Sequence, residues 1–421
     1  MSFSTRSWRW LVALGALAGC QSPSGQSTAT ATPPPAANPA APTAAAAPAA
    51  SSPGTAYWVF RGLLPGQADS VTLHLVTSPK EFFAYGTGPG HHGSYYGANG
   101  HPYELQGQPS TPDSLVLNDI SLENDRPYLG TGATWRLKQQ PNGSLAGTVS
   151  GHATRLRLVP AAAGSVSFAV RYFADSLAAL PRDTKSPKAR FSLQALAPTG
   201  GLPALREALT ANILRDLRGD TAAAEMPPLL PTLQKQQRDS FFKNYRADAA
   251  DLPAPTDTAD LGSYRASLNY ASQSASYVLF QQGDLVSLAY FTYKFIGGAH
   301  GNYGTVGASY DLRTGRRLRY HDIFRPTAAA QLPALLAVAV RPLVGLGPRE
   351  PLDKALFVKK MPITRNVFLT TGGVEFIYQP YEIASYSQGE VRVFLPLGQV
   401  RALLQESLPG VPSVPGVAAT R

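Results

Sequence analysis

Short runs of alternating apolar and polar residues fill the chain after residue 56. Residues 70–76 read SVTLHLV, and residues 93–108 hold two further runs around an Asn-Gly dipeptide. A period of two places apolar side chains on one face of a strand, and Asn-Gly is a strong hairpin signal. Many short strands with turn signals at close spacing predict a small all-β barrel or sandwich over residues 56–160.

The pattern becomes mixed after residue 164. Residues 202–219 place apolar side chains at helical spacing and end at Gly219, a helix C-cap signal. The other predicted elements are strands at 165–173, 261–324 and 366–397, a polar helix at 233–248, a helix at 328–346 and a closing helix at 398–408. Helices beside an antiparallel sheet are typical of the α+β class. The predicted fold is therefore α+β, with the all-β module followed by an α+β domain at 164–410 and a flexible tail at 411–421.

Smaller features of the pattern add detail to this domain. Residues 196–201 (LAPTGG) and the Pro-rich residues 226–231 are predicted as loops. The alternation at 285–298 slips near Ala289, which indicates a β-bulge. We expect the all-β module and the α+β domain to fold separately, with a proteolytic site between them near residues 161–164.

The N-terminus has the pattern of an export signal. Arg6 and Arg9 precede a short apolar run at 11–17, far below the ~20 residues of a membrane-spanning helix. Residues 17–20 read LAGC and resemble a bacterial lipobox, which implies removal of residues 1–19 and acylation of Cys20. Acyl chains would anchor the protein in the lipid bilayer. Cys20 is the one cysteine of the chain, so no intramolecular disulfide forms.

An uncharged segment rich in Ala, Pro, Ser and Thr follows Cys20 up to Thr55. Such a composition has nothing to bury and predicts an extended tether over residues 20–55. The residue after Cys20 is Gln21 rather than Asp, which favours the outer membrane, facing the periplasm, if the host has two membranes. The expected location is therefore the bacterial cell envelope.

Basic residues exceed acidic ones, 37 to 27, for a formal net charge of +10. The densest basic stretch is TGRRLRYH at residues 314–321. It could meet an anionic lipid or polymer surface, but the solvated face of a hairpin is the simpler interpretation. Nucleic acid is a poor candidate partner for an exported protein.

A glycine-rich stretch, GGAHGNYG at residues 297–304, is the strongest candidate for a chemical site. It lacks the Lys and Ser/Thr of a phosphate-binding loop, and a strand follows it. His300 has no second metal ligand at a suitable spacing, although a metal site usually needs three or four. We expect Gly297, Gly298 and Gly301 to let the chain turn, while His300 and Asn302 satisfy loop backbone groups or contact a ligand.

Other chemical candidates are weaker, and the sequence predicts no cofactor, metal or catalytic residue. His91, His92 and His101 form a histidine cluster that we expect in a Gly-rich loop of the all-β module. No nucleophile elbow or zinc-protease motif occurs. Glu375 and Glu382 are a candidate carboxylate pair for a hydrolase, but a separation of seven strand residues would put them on opposite faces.

Two ordered motifs resemble the RsiV C-terminal-type domain, an extracytoplasmic family. The first is YKFIGGAHGNYGTVGASYDLRTGRRLRYHDIF, at residues 293–324. The second is GVEFIYQPYEIASYSQGEVRVFLPLGQV, at residues 373–400. The resemblance covers about residues 165–408 and excludes the all-β module.

The family occurs in a lysozyme-sensing anti-sigma factor and ahead of the catalytic domain of some polysaccharide deacetylases. The resemblance thus implies an α+β module that binds an envelope protein or a glycan. This chain has no sigma-binding segment, transmembrane helix or deacetylase metal motif, so neither signalling nor deacetylation carries over to it.

We therefore expect a non-enzymatic, lipid-anchored envelope protein that binds a lysozyme-like protein or peptidoglycan. A cell-wall hydrolase or deacetylase-associated protein and a structural envelope protein are the alternatives. The candidate contact residues are His300, Asn302, Tyr303, Tyr381 and Tyr386. Tyr95, Tyr96 and Tyr378 are further aromatic candidates for glycan contact, with core packing as the alternative for each.

Overall fold

The computed structural model describes residues 51–79, 90–107, 114–123, 132–219, 225–250 and 265–411. The predicted signal peptide, Cys20, the tether up to residue 50 and residues 412–421 of the predicted tail lie outside these ranges. Ala46–Arg421 forms one compact unit. Among the described residues, none of the helices has the length and apolar composition of a membrane span.

Eight antiparallel strands close into a barrel, which confirms the all-β module. The strands are β1 (Ala56–Leu63), β2 (Ser70–Ser78), β3 (Gly90–Tyr96), β4 (Tyr103–Gly107), β5 (Ser114–Asp119), β6 (Thr134–Gln139), β7 (Leu145–Val149) and β8 (His152–Leu158). Inward positions such as Phe60, Leu73 and Trp135 are fully buried. The pairing of β1 with β8 closes the barrel, so neither of these strands is left with a free edge.

A six-stranded sheet follows, in the order β14-β13-β12-β11-β10-β9. Its strands are β9 (Val166–Ala178), β10 (Lys188–Gly200), β11 (Ala271–Gln282), β12 (Leu285–Phe295), β13 (Asn302–Asp311) and β14 (Arg316–Leu318). β10 and β11 are parallel, and parallel neighbours need a long crossover. The two predicted helices, α1 (Pro203–Arg218) and α2 (Leu230–Ala249), lie in this crossover, and Gly219 caps α1 at φ 77°.

The C-terminal part adds a three-stranded sheet, in the order β15-β16-β17, and short helices. Its elements are α3 (Tyr320–Ile323), α4 (Leu332–Leu343), β15 (Val367–Leu369), β16 (Gly373–Tyr378), β17 (Val391–Pro396) and α5 (Leu397–Val400). Leu336, Phe376 and Val393 lie in the core that these elements share. The α+β class is confirmed.

Three local predictions were wrong. Residues 196–200 are strand rather than loop, because pairing of β10 with β11 ends at Gln194 and Pro198 then needs only its β9 neighbour. The bulge lies on β11, where Leu279 is the extra residue, whereas Ala289 pairs regularly. The closing helix is reduced to α5 and a 3₁₀ turn, because Leu404 bridges to Phe324 instead.

The barrel packs against both sheets along a contact that we call the barrel seam. Here the Ser94 hydroxyl of β3 donates to the carbonyls of Val278 and Leu279, at 2.7 and 2.9 Å, beside the bulge of β11. The Asn-Gly turn between β3 and β4 abuts the β15–β16 turn so closely that a Cβ on Gly100 would lie 2.6 Å from the Gly372 nitrogen. Gly100 and Gly372 are therefore both required, because the backbones of the two turns are in direct contact.

Polar groups also cross the barrel seam. Arg392 of β17 pairs with Glu104 of β4 at 2.5 Å and with Glu390 at 2.9 Å. The Tyr277 hydroxyl of β11 donates to Glu104 at 3.0 Å. The module boundaries stay a prediction, but with these buried contacts we now expect the barrel and the α+β domain to unfold together.

The last residues of the predicted tether are bound to the edge of the six-stranded sheet. The Ser52 amide donates to the Val170 carbonyl at 2.8 Å, and the Ser52 hydroxyl accepts from the Tyr172 amide at 3.0 Å. The Thr55 hydroxyl also reaches the Val170 carbonyl. At the other end, Val411 of the predicted flexible tail is buried in the C-terminal core.

Candidate functional site

The glycine-rich stretch connects β12 to β13 and uses its glycines in two ways. Gly297 and Gly298 have φ of 88° and 96°, in the left-handed region that side chains rarely adopt. Gly301 does not have a positive φ, but a Cβ there would lie 2.4 Å from Cζ of Tyr293. The stretch is a structural turn, as the sequence predicted, and Gly301 is explained by packing rather than by φ.

Glycines further along β13 let the three-stranded sheet approach. A Cβ on Gly304 would lie 2.1 Å from Oε1 of Gln379, and one on Gly307 would lie 2.6 Å from Cδ1 of Phe368. The Thr305 carbonyl accepts from the side-chain amides of Asn366 and Gln379, each at 2.7 Å. These contacts bring the chain after β16 beside the glycine-rich turn.

The segment after β16 makes a tight turn with an unusual residue in it. The Glu382 amide donates to the Gln379 carbonyl at 3.0 Å, and the Glu382 carboxylate accepts from the Gln379 amide. Pro380 occupies the second position of this turn and Tyr381 the third, at φ 69°. A positive φ at the third position is typical of a type II turn, where Gly or Asn is preferred. Tyrosine is therefore strained at this position.

Tyr381 lies beside the glycine-rich turn in a cluster that we call the aromatic patch: His300, Tyr303, Tyr381 and Tyr386. Tyr386 stacks on the His300 ring with centroids 3.9 Å apart, and Tyr381 stacks on it at 6.3 Å. Tyr303 meets Tyr386 edge-on at 5.7 Å. The two motifs of the sequence, about 80 residues apart, thus form one surface feature.

Hydrogen bonds fix the arrangement of the aromatic patch. The Tyr386 hydroxyl donates to the Gly301 carbonyl at 2.6 Å, and Nδ1 of His300 lies 2.9 Å from the same oxygen. Nε2 of His300 lies 3.3 Å from the Tyr381 hydroxyl. Tyr381 is 55% exposed, and His300 is exposed beside it. The aromatic patch therefore presents preoriented rings with polar atoms at their edges.

Asn302 is the candidate contact residue that does not join this cluster. It begins β13 opposite Lys294 and is exposed. Gln379 and Asn366, which hold β13 against the second sheet, were missed in the sequence. The Gln-Pro dipeptide before Tyr381 was a turn signal that could have indicated the first of them.

Three of the proposed glycan-contact aromatics are core residues instead. Tyr95, Tyr96 and Tyr378 are at most 8% exposed. The Tyr95 hydroxyl donates to Asp119 at 2.7 Å, and that of Tyr378 donates to the Pro362 carbonyl at 2.7 Å. Alternation alone does not show which face of a strand a second sheet will cover.

The histidine cluster of the barrel is part of the barrel seam. His91 and His92 lie on β3 rather than in a loop; His92 packs edge-on against Tyr277 at 4.0 Å, and His101 stacks on Phe394 at 4.2 Å. Burial lowers the pKa of His92 to about 3, with help from the Arg392 cation, and that of His101 to about 4. Over the described ranges, no group of three or more His, Cys, Asp or Glu is arranged to hold a metal ion.

The proposed carboxylate pair is not assembled. Glu375 is buried in β16, and burial, together with neighbouring carboxylates, raises its pKa well above the ordinary value. Glu382 is exposed and occupied in its turn. The two residues lie in different environments, as their spacing suggested.

A family comparison covers part of this region. Residues 321–398 match the model of the family described as "Protein of unknown function (DUF3298)". The chain contains a DUF3298 domain at these positions. The matched residues include Tyr381 and Tyr386 of the aromatic patch but not His300. No curated protein matches the chain.

Solved structures of DUF3298 proteins are also similar to this chain. A member from Bacteroides fragilis is 23% identical, over 57% of this chain and 94% of that one, with a TM-score of 0.48. A member from Pseudomonas aeruginosa is 20% identical, over 57% of this chain and 95% of that one, with a TM-score of 0.40.

Proposed function

We propose that this protein is a lipid-anchored, non-enzymatic envelope protein of the RsiV C-terminal-like type, and that it binds the glycan of peptidoglycan through the aromatic patch. The observation that carries the proposal is Tyr381: an exposed tyrosine held at positive φ beside an exposed histidine. A strained residue at an exposed position is a reason to look for function, because folding alone would favour glycine there.

The chemistry of the aromatic patch suits a sugar. A saccharide ring offers a flat aliphatic face for stacking on an aromatic ring, and hydroxyls for hydrogen bonds at the ring edge. Tyr381 offers both an exposed ring and a hydroxyl. The imidazole of His300 adds a second ring and further hydrogen-bonding capacity.

Binding to peptidoglycan can be tested with insoluble peptidoglycan and the fragment Ala46–Arg421, which contains the whole compact unit. We expect the fragment to sediment with the polymer without releasing reducing sugar ends. Tyr381→Ser should weaken retention at least about tenfold, because stacking contributes on the order of 1 kcal/mol or more and the hydroxyl adds to it. Tyr381→Phe keeps the ring and should retain most of the binding.

Val338→Ser is the matched control, because Val338 is an exposed apolar residue of α4 outside the aromatic patch. Sedimentation that Tyr381→Ser leaves unchanged would place the binding surface elsewhere. Release of sugar ends would favour the hydrolase alternative. Binding to lysozyme in solution, without binding to peptidoglycan, would favour a protein ligand.

The lipid anchor is a separate part of the proposal and rests on the LAGC stretch. Cys20→Ser should move the full-length protein from the membrane fraction to the soluble fraction of its host. A mutant protein that stays in the membrane fraction after a high-salt wash would contradict acylation at Cys20.

A further inference from the structure

Five basic side chains from distant parts of the sequence share one outer face of the barrel. They are Arg61 of β1, Arg136 and Lys138 of β6, and Arg155 and Arg157 of β8, and we call them the basic wall. All five are exposed.

Strand alternation and register bring these residues together. Each alternates with a barrel-core residue, as Lys138 does with Leu137 and Arg157 with Leu156. Lys138 pairs with Ala146 on β7, and Ala146 pairs with Arg155 on β8. The cations therefore lie in adjoining rows across four neighbouring strands.

The β6 and β8 cations of the basic wall are on the far side of the barrel from the rest of the molecule, whereas Arg61 lies at its margin, because Tyr57 of the same strand packs against Phe168 of β9. β2 and β3 face β11 through Ser94 and its neighbours. In a closed order of eight strands, β6 and β7 lie opposite β2 and β3. Nothing in the described part of the chain covers this face.

The charges of the basic wall are not neutralised by the described residues, among which none of the five cations forms an ion pair. Arg61 and Arg157 are direct cross-strand partners, an arrangement that costs stability. The whole segment 56–160 carries seven basic and seven acidic residues, so it has no net excess of formal charge. Two of the acids, Glu104 and Asp119, are buried.

The densest basic stretch of the sequence behaves in the opposite way. In the hairpin at residues 314–321, Arg316 pairs with Asp322 at 2.6 Å and Arg317 pairs with Asp216 at 2.8 Å. Arg313, just before it, pairs with Asp311. The charges of that stretch are largely neutralised by neighbouring carboxylates, so the basic wall is the stronger candidate surface for binding an anionic partner.

The side chains between the cations indicate what kind of partner fits. Ala146 and Thr148 are small, and Leu63, the direct partner of Arg155, is 53% exposed. Cations beside an exposed aliphatic side chain suit an anionic lipid surface, because its headgroups attract Lys and Arg. Binding of single-stranded nucleic acid would use exposed aromatic rings instead.

We propose that the basic wall docks the barrel onto the surface of an anionic lipid bilayer. Each Lys or Arg near such a surface contributes about 1 kcal/mol, and the attraction decays over a Debye length. The barrel would then lie against the bilayer with the α+β domain directed away from it. This inference rests on neither the glycan site nor the Cys20 anchor.

The test uses Ala46–Arg421, without Cys20, and vesicles of phosphatidylcholine with or without phosphatidylglycerol. We expect sedimentation with the anionic vesicles alone, and a loss of binding as salt rises from about 0.01 M to about 0.15 M. The variant Arg136→Gln/Lys138→Gln/Arg155→Gln/Arg157→Gln should weaken binding about 100-fold or more, at about fivefold for each cation.

A matched control removes four other exposed cations through Lys243→Gln/Arg246→Gln/Lys359→Gln/Lys360→Gln. It makes the same change in net charge and should leave most of the vesicle binding intact. Equal losses in both variants would mean that net charge, rather than the basic wall, drives binding. No binding by the unmodified fragment, or binding to heparin but not to vesicles, would overturn the proposal.

Discussion

Histidine and tyrosine meet in two regions of this protein, the barrel seam and the aromatic patch, with opposite consequences. In the barrel seam, His74 lies between the hydroxyls of Tyr57 and Tyr96, and all three rings are largely shielded from solvent. In the aromatic patch, His300 and Tyr381 face solvent. The same residue types hold two parts of the fold together in one region and form a free surface in the other.

The hydrogen bonds of the barrel seam determine the state of its histidine. The Tyr96 hydroxyl donates to the Gln281 carbonyl at 2.6 Å, so its oxygen accepts from Nε2–H of His74. Nδ1 then accepts from the Tyr57 hydroxyl at 2.8 Å. This series of hydrogen bonds requires a neutral imidazole, and burial lowers the pKa of His74 to about 3. Changes in the barrel seam should thus affect stability, whereas changes in the aromatic patch should affect binding.

The largest effect is expected for Arg392→Met in the barrel seam. It leaves the carboxylates of Glu104 and Glu390 buried without their cation, which should lower the free energy of unfolding by about 3–5 kcal/mol. Urea denaturation measures this change. Lys354→Met breaks an exposed pair with Glu350 and should cost less than about 1 kcal/mol. Similar costs for both variants would mean that the barrel seam does not hold the barrel in place.

Gly301→Ala should cost about 1–3 kcal/mol, because the added methyl group overlaps the Tyr293 ring. In Gly298→Ala the added methyl group meets open space, so only the positive φ destabilises the protein, by about 1 kcal/mol. Thermal melting should rank Gly301→Ala below Gly298→Ala, and His300→Ala nearest to the wild type. The reverse order of the two glycines would show that backbone angle, not packing, limits this turn.

The pH dependence of stability tests His74. Its folded pKa of about 3 lies below the ordinary value near 6.5, so its contribution is complete above pH 6.5 and is lost as the pH falls toward 3. Between these pH values His74 alone changes the free energy of unfolding by about 1.4 kcal/mol per pH unit. Replacing His74 by Gln should remove this one-proton contribution from the slope of the free energy of unfolding against pH.

Glu375 acts in the opposite direction, because its raised pKa favours the folded state at low pH. Glu375, His92 and His101 are present in both proteins, so the difference between the two stability curves isolates His74. Parallel stability curves for wild type and His74→Gln would contradict a neutral, buried histidine in the barrel seam.

The smallest change in stability, and the sharpest contrast, is expected at Tyr381. Tyr381→Gly removes the strain that a side chain causes at positive φ and should stabilise the protein by up to about 1 kcal/mol. Retention on peptidoglycan should be lost, because the ring is absent. Tyr381→Ser keeps the strained backbone and should lose binding without that gain. Denaturation and sedimentation of the two variants together separate backbone strain from ring contact. Loss of stability in Tyr381→Gly would mean that the ring packs as core.

The sequence by itself determined the local elements and the class of the fold. Alternation with turn signals was enough for a barrel or sandwich, since inward positions such as Phe60 and Trp135 repeat every second residue. Helical spacing with a glycine C-cap located α1. The glycines at 297 and 298 were read correctly as turn residues, because positive φ is a property of the local chain.

Only the tertiary structure decided which of these local features meet. Tyr96 and Tyr381 were both candidates for glycan contact, yet β11 covers the first while the second stays at the surface. Arg61 and Arg157 lie far apart in the sequence and become direct neighbours when the barrel closes. Burial, ion pairing and the approach of two sheets depend on contacts between distant residues, and such contacts leave no periodic signal in the chain.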